Sequence, residues 1–298
     1  MPIAAIDDVT LDYEVHGEPG APAVLLVMGL GMPAAMWPDE FVRTLLDRGL
    51  RVVTFDNRDS GASTRLARLP VPNIGASMTR AMMGLRVTAP YSLTDMAIDA
   101  VAVLDAAGID RAHVIGASMG GMIAQTVAIL YPDRVLSLTS IMSTTGDPTL
   151  PPATPEAMRV LLTPPPGDRE GNVGRALEAW KVIGSPGYPF DEPRMRDLFG
   201  RAFDRGYNPG GVARQFAAIM KSGDRTTALR NVTVPSLVIH GAADPLIPVA
   251  AAHATASAIS GAELLVIEGM GHDFPRGTWP PIIAAIGKHA ARATAQAA

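Results

Sequence analysis

Short apolar runs alternate with longer helical stretches along most of this chain, and that alternation constrains the fold more than any other feature. The runs that we predict to be strands cover residues 9–15, 23–28, 51–55, 112–115, 135–141, 236–239 and 263–267. The stretches that we predict to be helices in the same part of the pattern cover residues 38–48, 92–107, 119–131, 249–259 and 279–293. Strands that alternate with helices form a mostly parallel sheet covered on both faces. The sequence therefore predicts an α/β fold with functional side chains beyond the carboxyl ends of its strands.

A serine between two glycines lies where the predicted strand 112–115 leads into the predicted helix 119–131. Gly116 and Gly120 stand two residues before and two residues after Ser118. A turn this sharp has no room for larger side chains at the two glycine positions. It lifts the hydroxyl clear of the sheet and aims it at the start of a helix, where unsatisfied N–H groups can hold an oxyanion. Ser118 is therefore the candidate nucleophile.

A serine hydroxyl needs a base, and one of the six histidines is placed to supply it. His272 lies in a loop that follows a predicted strand. Gly269 and Gly271 precede it in this loop, and Asp273 follows it. A histidine placed by a glycine-rich loop indicates function more strongly than one on a packed face. The other five histidines are expected to have structural or solvent-facing roles: His16, His113, His240, His253 and His289.

The acid that would orient this histidine has two candidates. Asp244 follows the apolar run 237–240 after three small residues, which places it just beyond the end of a strand. Asp147, which follows the strand-like run 135–142, is the competing candidate. The chain order Ser118, Asp244, His272 is the one used by serine sites at strand ends, and it favours Asp244.

These residues, together with residues 24–31, resemble the α/β-hydrolase-fold serine hydrolases over nearly the whole chain. The resemblance implies an eight-stranded, mostly parallel sheet and a catalytic set of Ser118, Asp244 and His272. It also implies an oxyanion hole formed by the N–H groups of Leu30 and Met119. Many family members have His-Gly where this chain has Met28-Gly29, so the oxyanion loop departs from the usual pattern.

A second family hallmark, D-x-R-G-x-G-x-S, resembles residues 56–63, with Asp59 where glycine is commoner. Together with residues 36–41, this segment is similar to the bacterial subgroup that includes methylesterases of polyketide esters such as aclacinomycin. The resemblance implies a structural brace rather than a chemical role for three residues: Asp56, Arg58 and Ser63.

The alternation breaks over residues 144–232, which contain the proline-rich stretch 163–167. Helices are predicted within this insertion at 155–162, 173–183, 192–205 and 210–222. We expect residues 1–143 and 233–298 to form the core and 144–232 to form a helical cap over the site. The large apolar residues of the cap are each expected to pack within it, and as a group to make the pocket roof apolar: Met158, Trp180, Phe190, Phe199, Phe203, Phe216 and Met220.

Composition narrows the classes of function. A 298-residue chain with 48% hydrophobic and 18% charged residues is typical of one large domain around a buried sheet. The net charge of −4 argues against nucleic acid as a partner. The absence of cysteine excludes disulfides and a thiolate nucleophile, and the histidine and carboxylate spacing suggests no metal or other cofactor. The apolar runs are too short to cross a bilayer and the first residues do not resemble a secretion signal, so we expect a cytoplasmic protein without a membrane partner.

The resulting prediction is a serine carboxylesterase for neutral, hydrophobic esters of short to medium chain length, acting on a small molecule as a monomer or homodimer. The same triad is also compatible with a carbon–carbon bond hydrolase, an enol-lactone hydrolase or a cofactor-free perhydrolase. A small-molecule receptor on the same fold is the alternative that is not an enzyme.

Overall fold

The computed structural model describes residues 2–164 and 166–297, and within them eight strands form a single sheet in the order β1-β2-β4-β3-β5-β6-β7-β8. The strands are β1 (Ile3–Ile6), β2 (Val9–His16), β3 (Ala23–Val27), β4 (Arg51–Phe55), β5 (Ala112–Ala117), β6 (Val135–Ile141), β7 (Ser236–Gly241) and β8 (Glu263–Ile267). Strand β2 runs antiparallel to both β1 and β4, and every other neighbouring pair is parallel. The prediction of an eight-stranded, mostly parallel sheet is confirmed.

Helices cover both faces of this sheet. They are α1 (Asp39–Leu46), α2 (Ile74–Met82), α3 (Leu93–Ala106), α4 (Met119–Leu130), α5 (Pro155–Leu162), α6 (Arg169–Ile183), α7 (Glu192–Gly206), α8 (Pro209–Ser222), α9 (Thr226–Leu229), α10 (Ala250–Ala258) and α11 (Trp279–Ala297). No helix in the described part of the chain is both long and apolar enough to cross a membrane.

The central strand β3 shows how the core is divided between the two faces. Leu25 and Val27 pack into one hydrophobic cluster with residues of α3 and α4. Val24 and Leu26 point the other way, into a cluster with residues of α1, α6, α7 and α11. Side chains of a strand alternate between faces, and a strand buried on both faces therefore reads as a continuous apolar run. This is why β3 was predictable from its sequence.

The helices of the segment 144–232 begin where polar side chains cap them. Thr154, Asp168, Asp191 and Asn208 each accept a hydrogen bond from a backbone N–H in the first turn of α5, α6, α7 and α8, respectively. Such caps satisfy N–H groups that have no partner inside the helix. Because Asp168 caps α6, this helix starts at Arg169 and is four residues longer than the predicted 173–183.

Three elements were not predicted from the sequence: β1, α2 and α9. In β1 only Ala4 is fully buried, so the strand has no continuous apolar run. Helix α2 begins after Asn73, whose side chain accepts from the N–H of Ala76, but only Ser77 within it is buried. Both elements lie largely at the surface, where hydrophobic periodicity is weak.

The division into a core of residues 1–143 and 233–298 and a cap of residues 144–232 stays a prediction.

Candidate active site

Ser118 lies at the tip of a tight turn between β5 and α4. Its φ of 56° and ψ of −121° fall in a region that residues with a side chain rarely adopt. A Cβ added at Gly116 would overlap the carbonyl oxygen of Gly120, and one added at Gly120 would overlap that of Val27. The turn is held from β6, since the N–H of Ser118 donates to the carbonyl of Ile141 at 2.9 Å. Both glycines are therefore required by backbone contacts, as the sequence pattern indicated.

His272 follows β8 and lies beside this serine. Its Nε2 is 3.0 Å from Ser118 Oγ, and its Nδ1 is 2.7 Å from Asp244 Oδ2. The imidazole and the Asp244 carboxylate are both buried. The structure therefore brings the three predicted residues into one continuous hydrogen-bonded chain, with the imidazole between a carboxylate and a hydroxyl.

The loop that carries His272 is fixed by the end of α6. The N–H of His272 donates to the carbonyl of Ile183 at 2.7 Å. Ser185 Oγ accepts from the N–H of Gly271 at 2.9 Å and donates to the carboxylate of Asp273. The position of the imidazole thus depends on residues of the predicted cap, which nothing in the sequence around His272 indicated.

Asp244 is oriented by the turn that follows β7. Its Oδ1 accepts hydrogen bonds of 2.9 Å from the N–H groups of both Leu246 and Ile247, which leaves Oδ2 for His272. His240 supports this turn through a 2.7 Å contact between its Nε2 and the carbonyl of Ile247. Burial lowers the pKa of His240, which favours the neutral imidazole with its proton on Nε2. His240 therefore supports the acid from behind, in keeping with the structural role expected for it.

The competing acid lies elsewhere. The carboxylate of Asp147 accepts from the N–H of Thr149 at 2.8 Å and from its hydroxyl at 2.7 Å. These hydrogen bonds hold the pKa of Asp147 below its ordinary value at the surface. Asp147 is thus the acceptor of a local turn, and Asp244 is the carboxylate next to His272.

Two backbone N–H groups near Ser118 are free to act as donors. Leu30 follows β3, and Met119 is the first residue of α4, so neither N–H has an acceptor within its own element. Among the described residues, neither N–H donates a hydrogen bond. Gly29 brings the first of them close, because a Cβ at Gly29 would lie 3.2 Å from the Cβ of Ser118. The arrangement can therefore present two donors to an oxygen bound over the serine.

A family model for the alpha/beta hydrolase fold matches residues 22–275. The chain belongs to this family. It is similar to the rhodomycin D methylesterase of Streptomyces sp. (strain C5), with 32% identity over 97% of each chain. It is also similar to the rhodomycin D methylesterase of Streptomyces peucetius, with 31% identity and the same coverage. A solved hydrolase from Pseudomonas aeruginosa PA01 shares the fold, with a TM-score of 0.69 and 24% identity over 96% of this chain and 98% of its own. The protein is therefore a hydrolase, and its methylesterase relatives support activity on esters.

The family's second hallmark forms a buried brace behind the hydrolase site. The Asp56 carboxylate accepts from the N–H groups of Ala34 at 2.6 Å and Ala62 at 2.8 Å. Ser63 Oγ donates to the carbonyl of Asp56 at 2.6 Å. Burial raises the pKa of Asp56, and the hydrogen bonds from Ala62 and Ala34, together with Arg205, partly offset that effect. The brace therefore ties the loop that follows β4 to Ala34, which lies between β3 and α1.

A cavity of about 290 Å³ opens onto Ser118 and His272. Most of its wall is aliphatic or aromatic, and much of that wall comes from one face each of α6 and α7. The large apolar residues of the segment 144–232 were expected to pack within it and, as a group, to make the pocket roof apolar, and Trp180, Phe199 and Phe203 line the cavity. Trp180 and Phe199 do both, since their rings also pack edge to face at 4.9 Å. Sequence periodicity identifies the apolar face of a helix but not whether that face meets a core or a cavity.

Within the described part of the chain, three charged side chains also line this cavity: Arg175, Arg194 and Asp273. Burial raises the pKa of Asp273, while the hydrogen bond from Ser185 opposes the rise. The guanidinium of Arg194 lies 5.0 Å from the centre of the Trp279 ring, and Arg175 donates to the carbonyl of Val160 at 2.9 Å. These side chains were not singled out from the sequence, where the only available signal was the position of Asp273 next to His272.

Proposed function

We propose that this hydrolase is a serine carboxylesterase that forms an acyl-enzyme on Ser118. The observation that carries the proposal is the hydrogen-bonded chain from Asp244 through His272 to Ser118, with distances of 2.7 and 3.0 Å. A serine becomes nucleophilic when an adjacent base can take its proton and a carboxylate orients that base. All three groups are present here in the required order.

In the first half of the reaction, Ser118 Oγ attacks the ester carbonyl carbon while His272 Nε2 takes the hydroxyl proton. The carbonyl oxygen becomes an oxyanion and receives hydrogen bonds from the N–H groups of Leu30 and Met119. The tetrahedral intermediate then collapses, the bond from carbon to the alcohol oxygen breaks, and His272 gives its proton to the departing alcohol. Asp244 stabilises the imidazolium throughout and keeps its own charge.

In the second half, water replaces the alcohol. His272 takes a proton from this water as its oxygen attacks the acyl carbonyl, and the same two N–H groups hold the second oxyanion. Collapse breaks the bond between the acyl carbon and Ser118 Oγ, and the proton returns to the serine. The products are a carboxylic acid, which ionises, and the free enzyme.

For the substrate, we propose a neutral ester with an apolar acyl group and a small alcohol. The name of the methylesterase relatives favours methyl esters, whose alcohol is the smallest possible. With so small an alcohol, the apolar cavity of about 290 Å³ is available to the acyl group. The helices of residues 144–232 would then act as the cap that covers this group and limits access of water.

The test compares methyl and p-nitrophenyl esters of graded acyl size on the parent protein and on Ser118→Ala. We expect turnover by the parent and a loss of at least about 10⁴-fold in kcat for Ser118→Ala. Ser236→Ala is the control, since Ser236 is a buried serine of the same sheet whose hydroxyl, within the described part of the chain, only donates to the carbonyl of Val234. The proposal is wrong if the folded parent hydrolyses no ester, or if Ser118→Ala retains the activity.

A further inference from the structure

One side chain of α8 fixes the backbone that presents Leu30. Gln215 Oε1 accepts the N–H of Gly31 at 2.7 Å, and its Nε2 donates to the carbonyl of Arg58 at 2.8 Å. The glutamine has no exposed surface, and both the oxygen and the nitrogen of its amide have a hydrogen-bond partner. It joins the loop that follows β3 to the loop that follows β4. A buried amide with both ends satisfied holds its neighbours in a defined geometry.

Arg214, the residue before Gln215, anchors the helix α8 to which both belong. Arg214 donates from Nε at 2.8 Å and from its terminal nitrogen at 2.6 Å to the two carboxylate oxygens of Asp59. Both side chains are buried. Asp59 also accepts from the hydroxyl of Tyr91 and the N–H of Leu66, each at 2.9 Å. Two consecutive residues of α8 therefore bind the core loops, one through charge and one through an amide.

Packing reinforces the contact at the loop itself. Gly31 has a φ of 67°, and a Cβ at this position would lie 2.6 Å from a methyl carbon of Val212 on α8. The peptide between Leu30 and Gly31 is thus held by the Gln215 amide and packed against Val212, both of which lie on α8. The Leu30 N–H belongs to the preceding peptide, which joins Gly29 to Leu30, so fixing the Leu30–Gly31 peptide limits the backbone rotations at Leu30 that set the direction of this N–H.

We propose that Gln215 is a positioning residue of the oxyanion site, which it serves by holding the Leu30 N–H in its productive direction. The inference rests on the proposed function, because it assumes acyl transfer at Ser118. Gln215 does not line the cavity in the described part of the chain, whereas Asn208 and Val212 of the same region do. Its effect is therefore on the transition state and not on substrate binding.

The experiment removes the amide and measures two quantities that respond to the oxyanion. Gln215→Met keeps an unbranched side chain of similar length, and Gln215→Asn keeps the amide but withdraws it by one methylene, as a second variant if the first does not fold. We expect kcat for the best ester to fall by about 10- to 100-fold with little change in KM. Phenylboronic acid, whose adduct with a serine carries an oxygen in the oxyanion position, is expected to bind more weakly by a similar factor.

A matched control separates this effect from the loss of any buried glutamine. Gln125 on α4 is also fully buried, and its amide contacts Ser140 at 3.1 Å and Arg225 at 3.3 Å. Gln125→Met should lower the melting temperature but leave kcat and the boronic acid affinity unchanged. An equal loss in this control would overturn the inference, as would a rise in KM without a change in kcat.

The two proposals fail in different ways. If the parent turns over esters and Ser118→Ala does not, but folded Gln215 variants keep kcat and boronic acid affinity, the inference is wrong and the esterase proposal stands. If the parent neither hydrolyses esters nor binds phenylboronic acid, the esterase proposal fails and the inference falls with it.

Discussion

Replacing Arg214 by methionine tests the buried charge that anchors α8. The substitution keeps an unbranched side chain and removes both hydrogen bonds to Asp59. The exposed side-chain fractions of Arg214 and Asp59 are 2% and 0%, so water cannot replace the lost partner. Removing one member of such a pair leaves an uncompensated buried charge, which typically costs about 3–5 kcal/mol in the free energy of unfolding.

The structure favours the lower end of that range. Asp59 keeps its hydrogen bonds from Tyr91 and Leu66, so its carboxylate stays partly compensated. We therefore expect a loss of about 3 kcal/mol. With an unfolding entropy of about 2.1 cal/mol/K per residue, a chain of 298 residues would lose about 5 °C in Tm.

The charge on Asp59 adds a pH signature to this loss. Burial tends to raise the pKa of Asp59, but hydrogen bonds, above all from Arg214, hold it below its ordinary value in the intact protein. Without the arginine, burial prevails and the pKa in the folded state rises above that in the unfolded state. The folded variant then favours a proton on Asp59, so its deficit against the parent should shrink as the pH falls.

The assay is urea unfolding and thermal melting of three variants beside the parent. Arg169→Met is the matched control, because Arg169 binds Asp204 in the same two-bond geometry but with exposed side-chain fractions of 49% and 56%. It should change stability far less than Arg214→Met does. Asp59→Gly combined with Arg214→Met should recover much of the loss, since glycine suits the φ of 67° and no buried charge remains. Equal losses for the two arginine variants would refute the reasoning.

Two further predictions concern a buried histidine and the strained serine. Burial, with a smaller contribution from His289, lowers the pKa of His113 to about 4, so between pH 6.5 and 4 the unfolded chain binds a proton that the folded protein does not. Acidification over this window should therefore lower the free energy of unfolding by about 3 kcal/mol through His113. Urea unfolding of His113→Gln at several pH values should lack this part of the pH dependence. The same dependence of stability on pH in parent and variant would contradict the prediction. Ser118→Gly should be more stable than Ser118→Ala by about 1 kcal/mol, because only glycine adopts the Ser118 backbone angles without strain. Coincident urea curves for these two variants would show that the turn stores no strain.

Local signals in the sequence predicted the elements that hold Ser118, Asp244 and His272. Strand β5, the two glycines and α4 are contiguous in the chain, so one short segment contains the whole reason for the turn at Ser118. Asp244 and His272 were found because each follows an apolar strand and lies among small residues. The structure brings these side chains together, and their catalytic roles stay a prediction that the Ser118→Ala experiment tests.

The residues that hold these groups in place were not predictable in the same way. Gln215 meets Gly31 across 184 positions of sequence, and Ser185 meets Asp273 across 88. No periodicity connects such distant positions, and a glutamine on a helix ordinarily faces water. An apolar pocket roof was predicted, but which residues line the cavity was not, because the apolar face of α7 reads the same whether it meets packed side chains or open space.

The docking of α6 onto the loop of His272 affects how this protein can diversify. Residues 144–232 interrupt the chain as if they could be exchanged for another set of helices. Yet the carbonyl of Ile183 accepts from the N–H of His272, and Ser185 binds the N–H of Gly271 and the carboxylate of Asp273, so a transplanted segment that does not match residues 269–273 would lose these contacts. Chimeras should be active only when residues 269–273 come from the same donor as residues 144–232. These two stretches would therefore have to change together.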